Sequence, residues 1–226
     1  MRDAELAVGG LMVGGLVPFT TIDFPGRLAA VVFCQGCPWR CGYCHNPHLH
    51  SPQGGEHSWS ELLGWLETRR GLLDGVVFSG GEPLLQRGLG SALQAVRALG
   101  FASALHTAGI YPDRLAATLP LLDWVGFDVK GPFEDYRRIT GAGGQAARES
   151  LARLLAAGVD HEVRCTVDTD LLDADALARL AGQLSAAGVS RLVLQACRRA
   201  GQPARVPDAL VAAAAQHLPW VETRAA

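Results

Sequence analysis

Cys37, Cys41 and Cys44 lie in the stretch VVFCQGCPWRCGYCHNP, where four of the chain's six cysteines fall within eleven positions. Three thiolates on one short loop can hold three corners of an iron–sulfur cubane and leave one iron open. With His45 or His48 as a fourth ligand they could instead close a tetrahedral zinc site, and paired disulfides are the third option. Cys34 falls inside the preceding apolar run and reads as a small packed hydrophobe, as do the isolated Cys165 and Cys197. A second stretch, FSGGEPLL, offers Gly80 and Gly81 for close backbone approach, then Glu82 and Pro83, with a carboxylate able to receive an ammonium group. In VGFDVKGP, strand alternation points Asp128 and Lys130 to one face; in HEVRCTV it groups Glu162, Arg164 and Thr166. Solvent-facing alternation or an internal ion pair would explain those charges equally well.

The elements that must position these residues alternate. Strands are predicted at 28–34, 76–79, 101–106, 124–129, 162–167 and 191–195. Between them SWSELLGWLETRR opens with Ser58 three residues before Glu61, a capping-box spacing. GLGSALQAVRAL, ARESLARLLAAG and DADALARLAGQLSAAG carry apolar residues at helical intervals. A weaker helix is predicted near 112–119 and a last one from Pro207 to about His217. Strand alternating with helix implies a parallel sheet with right-handed crossovers. Six such units fall short of a closed eight-stranded barrel, so an incomplete barrel and an open doubly wound sheet both fit. The expectation taken forward is α/β, a partial (β/α)6 TIM-like barrel with outer helices. It forms one domain with an N-terminal arm at 1–27, a barrel core at 28–195 and a C-terminal helix and tail at 196–226. In either architecture ligands sit at the carboxyl ends of the strands, where every motif above lies.

Composition narrows the classes. Of 226 residues 49% are hydrophobic, and 20 Lys and Arg stand against 22 Asp and Glu, a formal net charge of −2. No long run of one sign points to nucleic acid or an acidic membrane, and no apolar run is long enough to span a bilayer. The N-terminus, Gly-broken and acidic before its apolar stretch, does not read as a signal peptide. A cytoplasmic chain is expected, where clustered thiols are metal ligands more often than disulfides.

The C-x3-C-x2-C spacing with Tyr43 before the third cysteine, combined with SGGEP, resembles the radical S-adenosylmethionine (SAM) superfamily. TIDFPG at 21–26 followed by FCQGCPWRCGYCHNP is similar to the glycyl-radical-enzyme activases, closest to the anaerobic ribonucleoside-triphosphate reductase activating family, with pyruvate formate-lyase activating enzyme as a relative. The likeness spans about Gly15 to Gln195. It implies one [4Fe–4S] cluster on Cys37, Cys41 and Cys44, and SAM whose amino group meets the Gly80-Gly81-Glu82-Pro83 element. Thr107, Asp128, Lys130 and Arg164 would line the rest of the SAM pocket, with the Tyr43 backbone near the adenine and Gln195 substituting for an adenine-contacting histidine. Relatives often place Asp and Asn around the threonine, where this chain has His106 and Ala108; that puts in doubt a monovalent cation beside SAM, because a neutral imidazole is a poor ligand for a hard ion.

The implied reaction is reductive SAM cleavage, giving a 5′-deoxyadenosyl radical that removes hydrogen from a glycine Cα of a partner protein. Partners would be a glycyl radical enzyme, such as the large subunit of anaerobic ribonucleotide reductase, and an electron donor such as flavodoxin or ferredoxin. Asp23 and the Pro25-Gly26 turn are candidate partner contacts. No Ser/His/Asp constellation competes with this reading. The absence of cysteine from His45 to Ser79 resembles the single-cluster type. The alternatives are a radical SAM enzyme acting on a pyruvate formate-lyase type partner or a small molecule, and a non-catalytic zinc-binding module.

Overall fold

The computed structural model describes residues 10–225; Met1–Gly9, on which the reading of the N-terminus partly rests, and Ala226 lie outside the described residues. Its strands form a single open sheet in sequence order. They are β1 (Val13–Thr20), β2 (Ala29–Cys34), β3 (Gly75–Gly80), β4 (Ala102–Thr107), β5 (Trp124–Val129), β6 (His161–Val167), β7 (Arg191–Ala196) and β8 (Trp220–Arg224). Neighbours from β2 through β8 are parallel and β1 lies antiparallel on β2. The helices are α1 (Trp59–Glu67), α2 (Leu89–Ala98), α3 (Pro112–Thr118), α4 (Tyr136–Thr140), α5 (Gln145–Ala157), α6 (Ala174–Ala186) and α7 (Asp208–Ala215). The six expected strands are β2 to β7, and the sheet does not close. The partial barrel is therefore wider than six strands by one at each edge.

Alternation divides the sheet into two faces. Ala30, Val32, Cys34, Val76, Phe78, Leu105, Val125, Phe127, Val129, Val163, Cys165, Leu192 and Leu194 belong to the main core with the helices. The intervening positions Ala29, Val31, Val77, Ala104 and Trp124 form a smaller inner cluster around Phe24. The 20–26 turn thus folds onto the inner face, with the Phe24 and Trp124 rings 6.1 Å apart. The Ser58 capping box is formed in both directions, Glu61 N–H to Ser58 Oγ and Ser58 N–H to the Glu61 carboxylate, which fixes where α1 begins after the cysteine loop.

Two strands were absent from the sequence reading. β1 contains Gly14, Gly15 and Pro18, poor strand residues, and its ladder breaks between Val13 and Gly15 and between Val17 and Thr20. Such residues are tolerated at an irregular edge strand. β8 falls where a tail after the last helix was expected. It is short and largely exposed, and is held by β7 and by Arg224 bonding the buried Glu162 carboxylate at 2.7 and 2.6 Å. The five-residue α4 was also unread; Gly141 in the left-handed region ends it. Among the described residues no helix is long and apolar enough to cross a membrane.

Candidate active site

The loop after β2 carries Cys37, Cys41 and Cys44, all half-buried, and is tied down along its length. Gly36 N–H donates to Leu49 O at 2.8 Å, Cys44 N–H to Cys41 O at 3.0 Å and Arg40 N–H to Thr140 O at 2.9 Å, the last joining it to α4. Gln35 Nε2 donates to His48 O and Ser51 O, Leu49 is buried beneath, and Trp39 packs edge-on to Tyr136 at 5.6 Å. These bonds satisfy the backbone of a loop with no regular structure of its own, so the thiols are held before any ligand arrives.

The turn after β3 is sewn to that loop. Gly81 N–H donates to Cys34 O at 3.0 Å and Glu82 N–H to Gly36 O at 2.8 Å. Here the two glycines are required by contact rather than by flexibility alone. A Cβ on Gly81 would stand 2.3 Å from Gly36 O and 3.2 Å from Cys37 Cβ; one on Gly80, whose φ is +113°, would stand 2.5 Å from Cys34 N. Arg114 Nη1 clamps the far side through Leu84 O and Leu85 O at 2.9 and 2.7 Å. Gln86, which sequence reasoning passed over, bonds Gln35 O and accepts from Met12 N–H, stitching β1, the cysteine loop and the turn together.

Glu82 is 1% exposed. Its Oε1 accepts from Leu84 N–H at 3.1 Å and Thr107 Oγ1 at 2.6 Å, and its Oε2 from Ala108 N–H at 3.0 Å. Burial pushes its carboxyl up to about 7, against the pull of those three donors and of Lys130. A carboxylate has about four lone-pair sites, so one on Oε2 remains for a further donor. Pro83 follows in a short turn and is buried.

On the inner face the charged residues meet one another. Arg164 Nε donates to Asp128 Oδ1 at 2.5 Å and Lys130 Nζ lies 3.8 Å from Asp128 Oδ2. Burial alone would raise the Asp128 pKa, but Arg164 and Lys130 outweigh it and hold the carboxyl at about 2. The internal ion pair is thus present, in the group the alternation predicted, while Glu162 turns to Arg224. His106 Nε2 lies 2.9 Å from Asp23 O. Since a carbonyl only accepts, Nε2 carries the proton, and burial, with Arg164 nearby, lowers the imidazole to about 3 and keeps it neutral. Tyr43 is buried in the main core, its hydroxyl without a hydrogen-bond partner; only its backbone could face a ligand over the loop. Gln195 lies in register with Thr166 and Arg224 and is half-buried.

The donor set suits an iron–sulfur cluster. All six cysteines are free, so the disulfide option is not formed. Among the described residues no three His, Cys, Asp or Glu converge on a single ion, and His48 is exposed. A cubane instead takes thiolates spread over separate corners. Burial pushes the Cys37 thiol up to about 11, with the Trp39 amide and Lys130 acting against the rise. In Cys41 burial likewise raises the thiol and Lys130 opposes it most. A cation held beside thiols favours the thiolate a metal requires.

Comparisons with known proteins bear on this arrangement. The family model described as "Radical SAM superfamily" matches residues 31–176. A putative glycyl-radical enzyme activating enzyme of Methanocaldococcus jannaschii is 31% identical over 129 residues, 56% of this chain and 53% of the relative. The pyruvate formate-lyase-activating enzyme of Clostridium pasteurianum is 36% identical over 159 residues, 67% of this chain and 66% of the relative. The chain thus spans between half and two thirds of the length of these curated relatives. QueE from Escherichia coli superposes with a TM-score of 0.61 over 96% of this chain and 95% of that one, at 16% identity, a likeness of fold alone.

Proposed function

This chain belongs to the radical SAM superfamily, and we propose that it is a glycyl-radical-enzyme activating enzyme of the cytoplasm, acting on anaerobic ribonucleoside-triphosphate reductase. The superfamily's [4Fe–4S] cluster and SAM, when bound, supply the one-electron chemistry that cleaves SAM and removes hydrogen from a glycine Cα. One observation carries the reading: the three-cysteine loop and the Gly-Gly-Glu turn are hydrogen-bonded into a single unit at the carboxyl ends of adjacent strands.

In this reading Cys37, Cys41 and Cys44 hold the cluster and no side chain serves as acid or base. Glu82, with Gly80, Gly81 and Pro83 shaping its turn, receives the SAM amino group on the free site of Oε2. Thr107 keeps the carboxylate in place through its hydroxyl. Asp128, Lys130 and Arg164 present a locked set of charges toward the polar parts of SAM, Gln195 an amide, and Tyr43 its backbone. The inner apolar cluster around Phe24 excludes water below them, which protects a reactive radical from side reactions. A glycine target has no Cβ and can approach such a site closely, and because β1 and β8 do not pair with each other the sheet stays open for it.

Identity to a pyruvate formate-lyase-activating enzyme favours a second reading, in which the partner is of pyruvate formate-lyase type. Electron paramagnetic resonance decides. A glycyl radical doublet should appear when the reconstituted chain, SAM and a reductant meet the large subunit of anaerobic ribonucleotide reductase. Signal with pyruvate formate-lyase alone selects the second reading, and none with several competent partners contradicts both.

A further inference from the structure

Six large apolar side chains are exposed among the described residues, and five of them gather in one region. Ile22 is 76% exposed, Leu72 62%, Phe19 56%, Leu28 40% and Val17 38%; the sixth, Trp220, is on β8 at the other edge of the sheet. The five lie on segments bonded to one another. Val17 and Phe19 are on the edge strand β1, whose Thr20 is in register with Ala29. Leu28 precedes Ala29; its N–H donates to Asp74 Oδ2 at 2.8 Å and its carbonyl accepts from Asp74 N–H at 2.7 Å. Leu72 stands two residues before Asp74, in a turn closed by its own N–H to Arg69 O at 2.9 Å. Ile22 belongs to the turn between β1 and β2, which Arg27 N–H closes onto Phe24 O at 3.1 Å. Exposed apolar side chains are ordinary when scattered singly; gathered into a patch they mark an interaction surface. This one lies at the amino ends of β2 and β3, opposite the cysteine loop.

The border of the patch selects its occupant. Arg27, Arg69 and Arg70 stand there with Glu67 and Asp74. Arg27 spreads over the Phe24 ring at 5.2 Å and Arg69 over the Trp65 ring at 5.0 Å. None of the five charged groups makes an ion pair among the described residues, although elsewhere opposite charges do, as in Arg97–Asp123 at 2.9 Å and Arg191–Glu222 at 2.7 Å. A wholly acidic partner would meet Glu67 and Asp74 as like charges, and a wholly basic one would meet the three arginines. Both signs around an apolar centre are complementary to the same surface turned about, which is what a two-fold interface requires. Homodimer interfaces are also the more apolar class. Strand addition is closed to this edge: Pro18 brings no N–H to it, and Val13 O already accepts from Glu56 N–H at 2.9 Å. Contact is therefore through side chains.

We propose that this patch is the interface between two copies of the chain related by a two-fold axis. Phe19, Ile22, Leu28 and Leu72 form its centre, and the bordering arginines of one copy meet the bordering acids of the other. Both cysteine loops remain uncovered at the far ends of the two sheets. The association needs neither cluster nor SAM and stands apart from the activity proposed above. Ile22 neighbours Asp23, so a protein partner that used this turn would have to displace the second copy.

The test is sedimentation of the cluster-free chain between about 1 µM and about 100 µM, a range that resolves micromolar association, beside a variant carrying Ile22→Asp and Leu72→Asp. At the upper concentration the wild type should approach about 48 kDa, twice the 23.9 kDa of one chain. The variant should dissociate with a constant at least about ten-fold weaker, as loss of central apolar contacts entails. Amide exchange of the wild type at both concentrations reads the same interface without a substitution: on concentrating, protection should rise in 16–28 and 69–74 and stay level elsewhere. A wild type that keeps the mass of one chain at about 100 µM overturns the proposal. So does a dimer that survives both aspartates, or one whose added protection maps to other segments. A monomer that instead binds a glycyl radical enzyme or anionic vesicles through these residues overturns it too, assigning the surface to that occupant.

Discussion

Replacing Glu82 with Gln separates the cost of the buried carboxylate from its use. Burial raises its pKa from the ordinary 4.5 to about 7, so between those values the native chain holds a proton the unfolded chain has released. Stability therefore falls as pH rises through that window, by about 3 kcal/mol at about 1.4 kcal/mol per pH unit. Glu82→Gln has no such slope. Its amide sets an NH2 against the buried Ala108 N–H that now bonds Oε2, a loss of about 1–3 kcal/mol at every pH. At about pH 5 the variant should be the less stable chain; at about pH 8 it should match or exceed the wild type. Urea unfolding of the cluster-free chains measures this, and the difference between them should move by about 3 kcal/mol across the range, histidine titrations cancelling. SAM affinity should drop in the variant by about ten-fold to a hundred-fold, the worth of one charge-assisted hydrogen bond. Parallel pH profiles would refute the reasoning, since Glu82 would then titrate normally and its burial would carry no stored cost.

Other perturbations read other parts of the site. Ala at Cys37, Cys41 or Cys44 should each abolish cluster retention, measured as iron and sulfide after reconstitution, whereas Cys34→Ala or Cys165→Ala should keep the cluster and lose about 1 kcal/mol of stability in urea, as expected for small packed side chains. Gly81→Ala forces a methyl to 2.3 Å from Gly36 O; the strain of about 1–3 kcal/mol should lower the urea midpoint and cluster uptake together. Thr107→Val removes the hydroxyl that bonds Glu82 and accepts from Gly109 N–H at 3.0 Å, so unfolding should show a loss of about 1–3 kcal/mol and SAM titration a weaker complex. Arg224→Ala strands the buried Glu162 carboxylate and should destabilise by about 2 kcal/mol, discounted for the exposed arginine, while Glu162→Gln with Arg224 intact should cost less.

What could be read from the sequence followed physical regularity. Strands β2 to β7 alternate apolar side chains between two buried faces, and the Ser58–Glu61 cap is a local signal, so both were visible. The cysteine spacing and Gly-Gly-Glu were visible because their chemistry is in the residue types. β1 was hidden because Gly14, Gly15 and Pro18 contradict strand propensity, and only a bulged edge position accommodates them. β8 was hidden because its polar residues find their partners, Glu162 and Arg191, far along the chain. Long-range reciprocity likewise concealed that Asp128 and Arg164 neutralise each other, that Gln35 and Gln86 link the two loops, and that Gly81 lacks a side chain because Gly36 and Cys37 lie against it.

Iron, sulfide and zinc analysis of anaerobically reconstituted chain, with electron paramagnetic resonance of the reduced protein before and after adding SAM, tests the central claim most directly. Three thiolates holding a cubane with one open iron predict about four irons and four sulfides per chain and a reduced signal whose shape changes when SAM is added. Zinc in place of iron, or a cluster signal indifferent to SAM, would contradict it.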